Sequence, residues 1–320
     1  MSSNKIVILE NNSEIGAGTR GSSLGIAALK IAALKLKKNY FVKYKSETII
    51  DNNALLHDYD QNSLAINSKG VLDILNKVHN QVVSILERNK FPLVLAGDHS
   101  SAAGTISGIK SAYPNQRLGV IWIDAHADVH TPYTTPSGNI HGMPLAMSMN
   151  IDNVEHRNNV VDHETAGIWS ELKSVGGEGP KINPSDLVYI SVRDAEEAEE
   201  YFISEHNVKH VYVEDVRKRG AKEISDEVLN YLKDCDLIYM SFDVDSMDCD
   251  LVSYGTGTPV PNGLTENEAG GLVNHFLIDK RVCCFEMVEI NPCLDNKQNA
   301  MAESAMRILE NATNIIEKRG

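Results

Sequence analysis

The sequence predicts an α/β fold built on a mainly parallel sheet, and three observations carry that expectation. Short β-rich runs alternate with helix-like segments from one end to the other, the pattern of parallel strands joined by crossover helices. Several runs are apolar on both faces, as strands covered by helices on both sides must be. Acidic and histidine-bearing motifs follow the strands, at the carboxyl edge where open α/β sheets build their sites.

In chain order, KIVILE (5–10) is the first strand and LGIAALKIAALKL (24–36) the first segment with helical spacing. A longer helix, VLDILNKVHNQVVSILERN (71–89), leads to the strands FPLVLAG (91–97) and LGVIWID (118–124). GDHS follows the first of these and DAHAD the second. The stretch 149–185 reads as an irregular excursion. LVYISV (187–192), followed by RDAEEAEE, and VKHVYV (208–213) are further strands, and AKEISDEVLNYLKD (221–234) is a helix. LIYMSFD (237–243) precedes DVDSMD, VCCFEMV (282–288) precedes EIN, and AMAESAMRILENATNIIEK (300–318) is the last helix. Length alone admits about two domains. No linker, repeat or low-complexity tract divides the chain, so a single domain over 1–320 is expected.

With 42% hydrophobic and 23% charged residues the chain has a globular composition. A formal net charge of -14 disfavours nucleic acid and anionic membranes as partners and mildly favours a cationic ligand. No apolar run approaches the roughly 20 residues that span a bilayer, and the opening MSSNKIVILENN lacks the order of a secretory signal, so a cytoplasmic protein is expected. The five cysteines (Cys235, Cys249, Cys283, Cys284, Cys293) lack metal-finger spacing and read as buried, reduced thiols.

The chemistry is concentrated in WIDAHADVHTP, where Asp124, His126, Asp128 and His130 alternate. In an extended segment this puts all four on one face, which is costly to bury unless something charged sits opposite. A lone Asp-x-His is more often a helix cap beside a surface histidine. Here, however, Asp98 and His99, then Asp124, His126 and Asp128, then Asp243 and Asp245 follow separate strands and should converge. So many carboxylates cannot share a pocket unneutralised. A carboxylate and imidazole set without thiolate suits manganese or a similar divalent ion, and the donors outnumber what one ion uses. Two metals would bring a bridging water towards neutral pKa, which is hydrolase chemistry.

GDHS, DAHADVHTPYTTPSGNIHGMP, SFDVDSMD with GTGTPVPNGLT, and MVEINP together resemble the motif series of the ureohydrolase superfamily. The Ser137-Gly-Asn139-x-His141-Gly run is most like arginases, and GAGTRGSSLG (16–25) is a weaker echo. The resemblance implies a three-layer α/β/α domain around a doubly wound sheet, two Mn2+ per chain, a small cationic guanidino substrate and a homo-oligomer, trimer or hexamer. It implies hydrolysis of L-arginine to L-ornithine and urea, with a metal-bridging hydroxide attacking the guanidinium carbon. His99, Asp124, Asp128 and Asp243 would hold one manganese; His126, Asp124, Asp243 and Asp245 would hold the other. Asp98 would orient a ligand. Asp128 would also move the proton to the leaving nitrogen, His141 would shuttle protons with a near-neutral pKa, and Glu289 would pair with the guanidinium. His130, Ser137, Asn139, Glu196, Glu199 and Thr258 would line the substrate channel.

Arginases usually carry Asn at the position of His130 and Asp at that of Glu196. The bland reading of DAEEAEE is the acidic first turn of a helix. Agmatine, guanidinobutyrate or a related acid is the alternative substrate. Phosphoesterase and dehalogenase readings fail on motif order and on Met247 respectively, and single-zinc deacetylases of similar fold are disfavoured by the paired aspartates. A non-catalytic ureohydrolase-like subunit is disfavoured because no ligand is lost.

Overall fold

The structure, a computed structural model, describes residues 5–58 and 62–319; Met1 to Asn4, part of the stretch read for a secretory signal, lie outside the described residues. Among the described residues, eight strands form one sheet: β1 (Ile6–Asn11), β2 (Ser46–Ile49), β3 (Phe91–Ala96), β4 (Leu118–Ile123), β5 (Leu187–Ile190), β6 (Lys209–Val211), β7 (Leu237–Asp243) and β8 (Val282–Val288). Their order is β2-β1-β3-β8-β7-β4-β5-β6, and every pairing is parallel. The helices are α1 (Gly25–Lys35), α2 (Tyr40–Lys43), α3 (Ser68–Glu87), α4 (Ser101–Ala112), α5 (Pro144–Met149), α6 (His163–Lys173), α7 (Glu197–Glu205), α8 (Val213–Arg219), α9 (Ala221–Tyr231), α10 (Glu266–Phe276) and α11 (Ala300–Lys318).

Strand parity divides the interior into two cores, which makes the architecture α/β/α. Ile6, Ile8, Leu93, Leu95, Ile121 and Ile123 face α1, α9, α10 and α11. Val7, Leu9, Val94, Val120 and Trp122 face α3, α4, α5, α6 and α7. Because both faces are covered, the central strands are apolar throughout, as the sequence predicts.

Besides α2, α5 and α10, which are not among the expected elements, four features depart from them with a local cause. β2 was not foreseen: SETI is polar, with one fully buried residue, because it is an edge strand. α4 was missed because SAAGTISGIKSA has many small residues instead of an apolar stripe. The small residues let α4 approach α3 closely; a Cβ on Gly104 would stand 2.8 Å from the Leu75 carbonyl oxygen. The 149–185 excursion is not wholly irregular, since it contains α6. Asp162 caps that helix by accepting from the Thr165 N–H at 2.7 Å, and Ile168, Trp169 and Leu172 are buried. Finally, the strands begun at 187 and 208 end early. Ser191 turns the chain with φ +70°, and Tyr212 opens α8. Cys293 is exposed, unlike the other cysteines, because it follows the last strand on a surface loop.

β8 and β7 lie between β3 and β4. The four strands that carry His99, Asp124, Asp243 and Glu289 at their carboxyl ends are therefore neighbours at the centre of the sheet, although up to 190 residues separate His99 from Glu289.

Candidate active site

His99 stands just beyond β3 with its ring stacked on Trp122, centroids 4.0 Å apart, and its Nε2 lies 2.7 Å from Ser241 Oγ. That fixes Nδ1 towards the carboxyl edge. Nδ1 lies 3.0 Å from Asp124 Oδ2, 3.0 Å from Asp128 Oδ2 and 3.2 Å from Asp243 Oδ2. A second group adjoins it, with His126 Nδ1 3.0 Å from Asp245 Oδ2 and 3.6 Å from Asp124 Oδ1. Asp124 thus faces both groups, each of which has the spacing of a metal site.

The donors are locked from behind. Asp124 Oδ1 accepts from the His126 N–H at 2.7 Å, Asp243 Oδ1 from the Asp245 N–H at 2.8 Å, and Asp245 Oδ1 from the Ala125 N–H at 3.1 Å. With Oδ1 so engaged, Asp243 presents Oδ2 to His99 Nδ1, and it is not among the three closest donors of either group. Asp128 is aimed by a left-handed backbone, φ +50°, a conformation that costs on the order of 1 kcal/mol in a residue with a Cβ.

These residues fit a pair of cations. His99 Nδ1 and Asp124 Oδ2 are buried without a hydrogen-bond partner, although Nδ1 is surrounded by carboxylate oxygens at close range. Donor atoms that crowd one point without bonding one another are arranged for an ion. Burial, compounded by Asp124, pushes the Asp128 carboxyl up to about 7. Burial with neighbouring carboxylates raises Asp243 and Asp245 too. Burial opposes charge on His99 and His126, but the aspartates outweigh it and raise both. The cluster carries excess negative charge that two divalent cations would neutralise.

Glu289, just after β8 at φ +68°, accepts with Oε1 from the His99 N–H at 3.0 Å and stands 3.1 Å from His141 Nδ1. Its Oε2 is buried and unpartnered. Burial works against charge on His141, but the bond to Glu289 prevails and pushes the pKa up to about 9, above the near-neutral value expected. Asp98 does not touch the His99 ring. It accepts from the N–H of Gly16 at 3.0 Å and of Ser100 at 2.9 Å, and from Ser100 Oγ. It therefore orients the loop whose Gly16 carbonyl receives the His141 N–H, not a ligand directly.

His130 lies outside both donor groups. Its Nδ1 is 3.1 Å from Thr134 Oγ1, and its Nε2 is 3.5 Å from Glu199 Oε2 and 3.8 Å from Glu196 Oε2. The helix-start reading of DAEEAEE holds. Glu196 is the N-cap of α7, and Glu199 Oε2 reaches back to the Glu196 N–H at 3.1 Å while Oε1 accepts from Val129 N–H at 3.2 Å. Asn139 N–H donates to Ser137 Oγ at 3.2 Å, and Thr258 Oγ1 donates to Asp245 Oδ2 at 3.1 Å.

One cavity of about 260 Å³ is lined by every residue expected at the site except Asp124, which lies beneath its floor, and Asp98. Thr135, Pro136, Gly142 and Asp194 also line it and were not foreseen. Asp194, directly after Arg193 in the quoted RDAEEAEE, had the strand-end position as a signal; Thr135, Pro136 and Gly142 had only their place inside DAHADVHTPYTTPSGNIHGMP.

Burial pushes Glu199 up from an ordinary 4.5 to about 7. A carboxyl with a raised folded-state pKa stabilises the fold fully below its unfolded pKa and loses that contribution as pH rises through the folded one. Relative to Glu199→Gln, the unsubstituted protein should therefore lose thermal stability between about pH 4.5 and 7. Melting temperatures of the two proteins across this range check it; a constant difference would contradict it.

The arginase family model matches residues 4–314. Arginase of Bacillus caldovelox is 35% identical over 300 residues, 92% of this chain and 93% of that protein. Arginase of Bacillus subtilis strain 168 is 35% identical over 301 residues, 93% of each. The crystal structure of the Bacillus caldovelox arginase superposes with a TM-score of 0.82 at 33% identity, covering 97% of this chain and 98% of that one. With its central parallel sheet, its paired carboxylate and imidazole groups and this match over nearly its whole length, the chain belongs to the arginase family of binuclear-metal hydrolases, which cleave guanidino and related amidine C–N bonds.

Proposed function

We propose that the protein hydrolyses L-arginine to L-ornithine and urea with two manganese ions. The observation that carries this reading is Glu289 Oε2, a buried carboxylate oxygen without a partner on the wall of a cavity floored by the two donor groups. A planar guanidinium is the complement of such a carboxylate.

His99, Asp124, Asp128 and Asp243 would hold one ion, and His126, Asp124, Asp243 and Asp245 the other; an all-oxygen-and-nitrogen donor set supports manganese. When bound, the ions would neutralise the aspartates and lower the pKa of a bound water towards neutral, supplying the nucleophile. Glu289 would fix the guanidinium carbon over the metal pair. Asp128 would accept a proton as the C–O bond forms and pass it to the nitrogen that leaves as amine, so that the C–N bond breaks and urea remains. His141, held at one ring nitrogen by Glu289, would exchange protons with water. His130, Ser137, Asn139, Glu196, Glu199 and Thr258 would surround the far end of the substrate.

Replacing His141 by Asn should lower kcat by roughly 10²-fold, the usual scale for a lost proton-transfer group. KM and metal content should stay near their original values, as measured by steady-state urea release and metal analysis.

A second reading, agmatine as substrate, is favoured by the lining of the cavity. It contains Asp194, Glu196 and Glu199 but no Lys or Arg among the described residues, which suits a substrate without a carboxylate. Urea release from arginine, agmatine and guanidinobutyrate by the manganese-loaded protein separates these readings. Absence of arginine turnover would sink the first. The unbroken sheet supports one domain over 1–320. Exposed Ile31, Leu34 and Val42 support a homo-oligomer, which we read as a trimer or hexamer. No helix among the described residues is long and apolar enough to cross a membrane, and we read the protein as cytoplasmic.

A further inference from the structure

Arg193 follows β5 and is absent from the cavity lining, yet its side chain binds around the second donor group. Nη2 donates to the main-chain oxygens of Asp245 at 2.9 Å and Val260 at 2.8 Å. Nη1 donates to those of Ser191 at 3.1 Å and Ser246 at 3.4 Å, and Nε donates to that of Pro261 at 3.0 Å. Its backbone N–H donates to the Ala125 carbonyl at 2.8 Å. One guanidinium therefore joins the turn after β5, the turn after β7 and the 255–263 segment, and its main chain adds the turn after β4.

Each junction bears on Asp245. The main chain of Asp245 is held by Arg193, while its carboxylate is held by Ala125 N–H and Thr258 Oγ1, both carried by segments that Arg193 also fastens. What remains for Asp245 Oδ2 is the approach to His126 Nδ1 at 3.0 Å. His99 itself is supported by other residues, with Glu289 holding its N–H and Ser241 its Nε2; the one link from the Arg193-bound turn to its group is the Asp245 N–H on Asp243 Oδ1. Among the described residues, every hydrogen bond of the Arg193 side chain goes to a carbonyl oxygen, so its positive charge is not consumed by a carboxylate partner. Lysine, a point charge with three donors, cannot reproduce a planar fork that bonds five carbonyls.

We propose that Arg193 is a positioning residue for the metal site formed by His126, Asp124 and Asp245, and that occupancy of this site depends on it while occupancy of the His99 site does not. The proposal rests on the two-ion reading above. Gly263 belongs to the same junction: a Cβ there would stand 2.6 Å from Arg193 Nη2 and 2.6 Å from the Ser246 carbonyl oxygen, so the contact closes only over a bare backbone.

Manganese binding is measured by calorimetric titration of the metal-free full chain, and the electron paramagnetic resonance of the coupled ion pair is recorded alongside. Two ions and a coupled signal in the unsubstituted protein test the two-ion reading by themselves. Arg193→Met should weaken one ion by roughly 10–100-fold, the usual range for losing a group that orients a metal ligand, and should leave the other unchanged. The coupled signal should then give way to that of a single ion at low metal and return at high metal, with kcat recovering in parallel. Arg193→Lys should lie between the two proteins. Gly263→Ala should show the same one-site weakening, and it serves where Arg193→Met does not fold. Arg117→Met, which breaks the Arg117 to Asp186 pair at the opposite edge of the sheet, should weaken neither ion. Parallel weakening of both ions in the Arg193 and Gly263 variants, or unchanged binding of both, would overturn the proposal.

Discussion

Replacing Asp124 by Asn should lower kcat/KM for guanidino hydrolysis by roughly 10³–10⁴-fold, the largest effect expected of any single substitution. Among the described residues, Asp124 is the one carboxylate common to both close donor groups, with Oδ2 3.0 Å from His99 Nδ1 and Oδ1 3.6 Å from His126 Nδ1. An Asn of the same size offers one acceptor oxygen and no charge, and its NH₂ would confront one of the two ions. Metal ions contribute several kcal/mol of transition-state stabilisation, and about 1.4 kcal/mol is a factor of ten in rate. Metal content and thermal stability make the test sharper than rate alone. In the metal-free protein burial opposes charge on Asp124, but His126 and His99 outweigh it and hold the carboxyl below the usual carboxylate range. The substitution therefore breaks a buried ion pair, and the melting temperature should fall. The rise on adding manganese should shrink, because less binding free energy is coupled to the folded state. An unchanged manganese-induced rise would contradict the shared-ligand role.

Glu289→Gln should lower kcat/KM by roughly 10²–10³-fold with both metals retained, because losing one member of a buried ion pair costs about 3–5 kcal/mol. The glutamine oxygen can still accept from the His99 N–H, so the first donor group keeps its support. A second consequence is independent of turnover. Glu289 provides the largest influence that raises His141 against the opposing effect of burial, and holds it at about 9. With the charge gone, the His141 pKa should fall, which nuclear magnetic resonance titration of the imidazole would read in the metal-free protein. Loss of metal together with activity would instead make Glu289 a support of the His99 site and not a substrate group.

The legible parts of the molecule were those where one local pattern has one physical cause. Strands such as LGVIWID are apolar on both faces because helices cover both faces, and that is visible in the residues themselves. The polar motifs were legible for the same reason, since carboxylates and imidazoles placed directly after such strands have few structural uses. The element-level failures have causes too. α4 is built of alanine, serine and glycine because it must approach α3, and its small residues leave no apolar stripe. SETI is an edge strand, so its exposed side is polar. Asp98 was expected to orient a ligand, but its partners are Ser100 and the Gly16 loop, the latter some eighty residues away in sequence.

By itself the sequence determined the layered parallel architecture, the donor types and the strand ends that carry them, because apolar periodicity and residue chemistry are local properties. Only the tertiary structure decided which donors meet. The insertion of β7 and β8 between β3 and β4 brings His99, Asp124, Asp243 and Glu289 to one edge, and that order is set by packing across the sheet. It also decided that Asp243 leans towards His99, that Glu289 raises the His141 pKa, and that Arg193 fastens the turns behind Asp245. Those outcomes depend on distances of a few ångströms between segments far apart in the chain, and electrostatic and hydrogen-bond energies are fixed by such distances and not by sequence spacing.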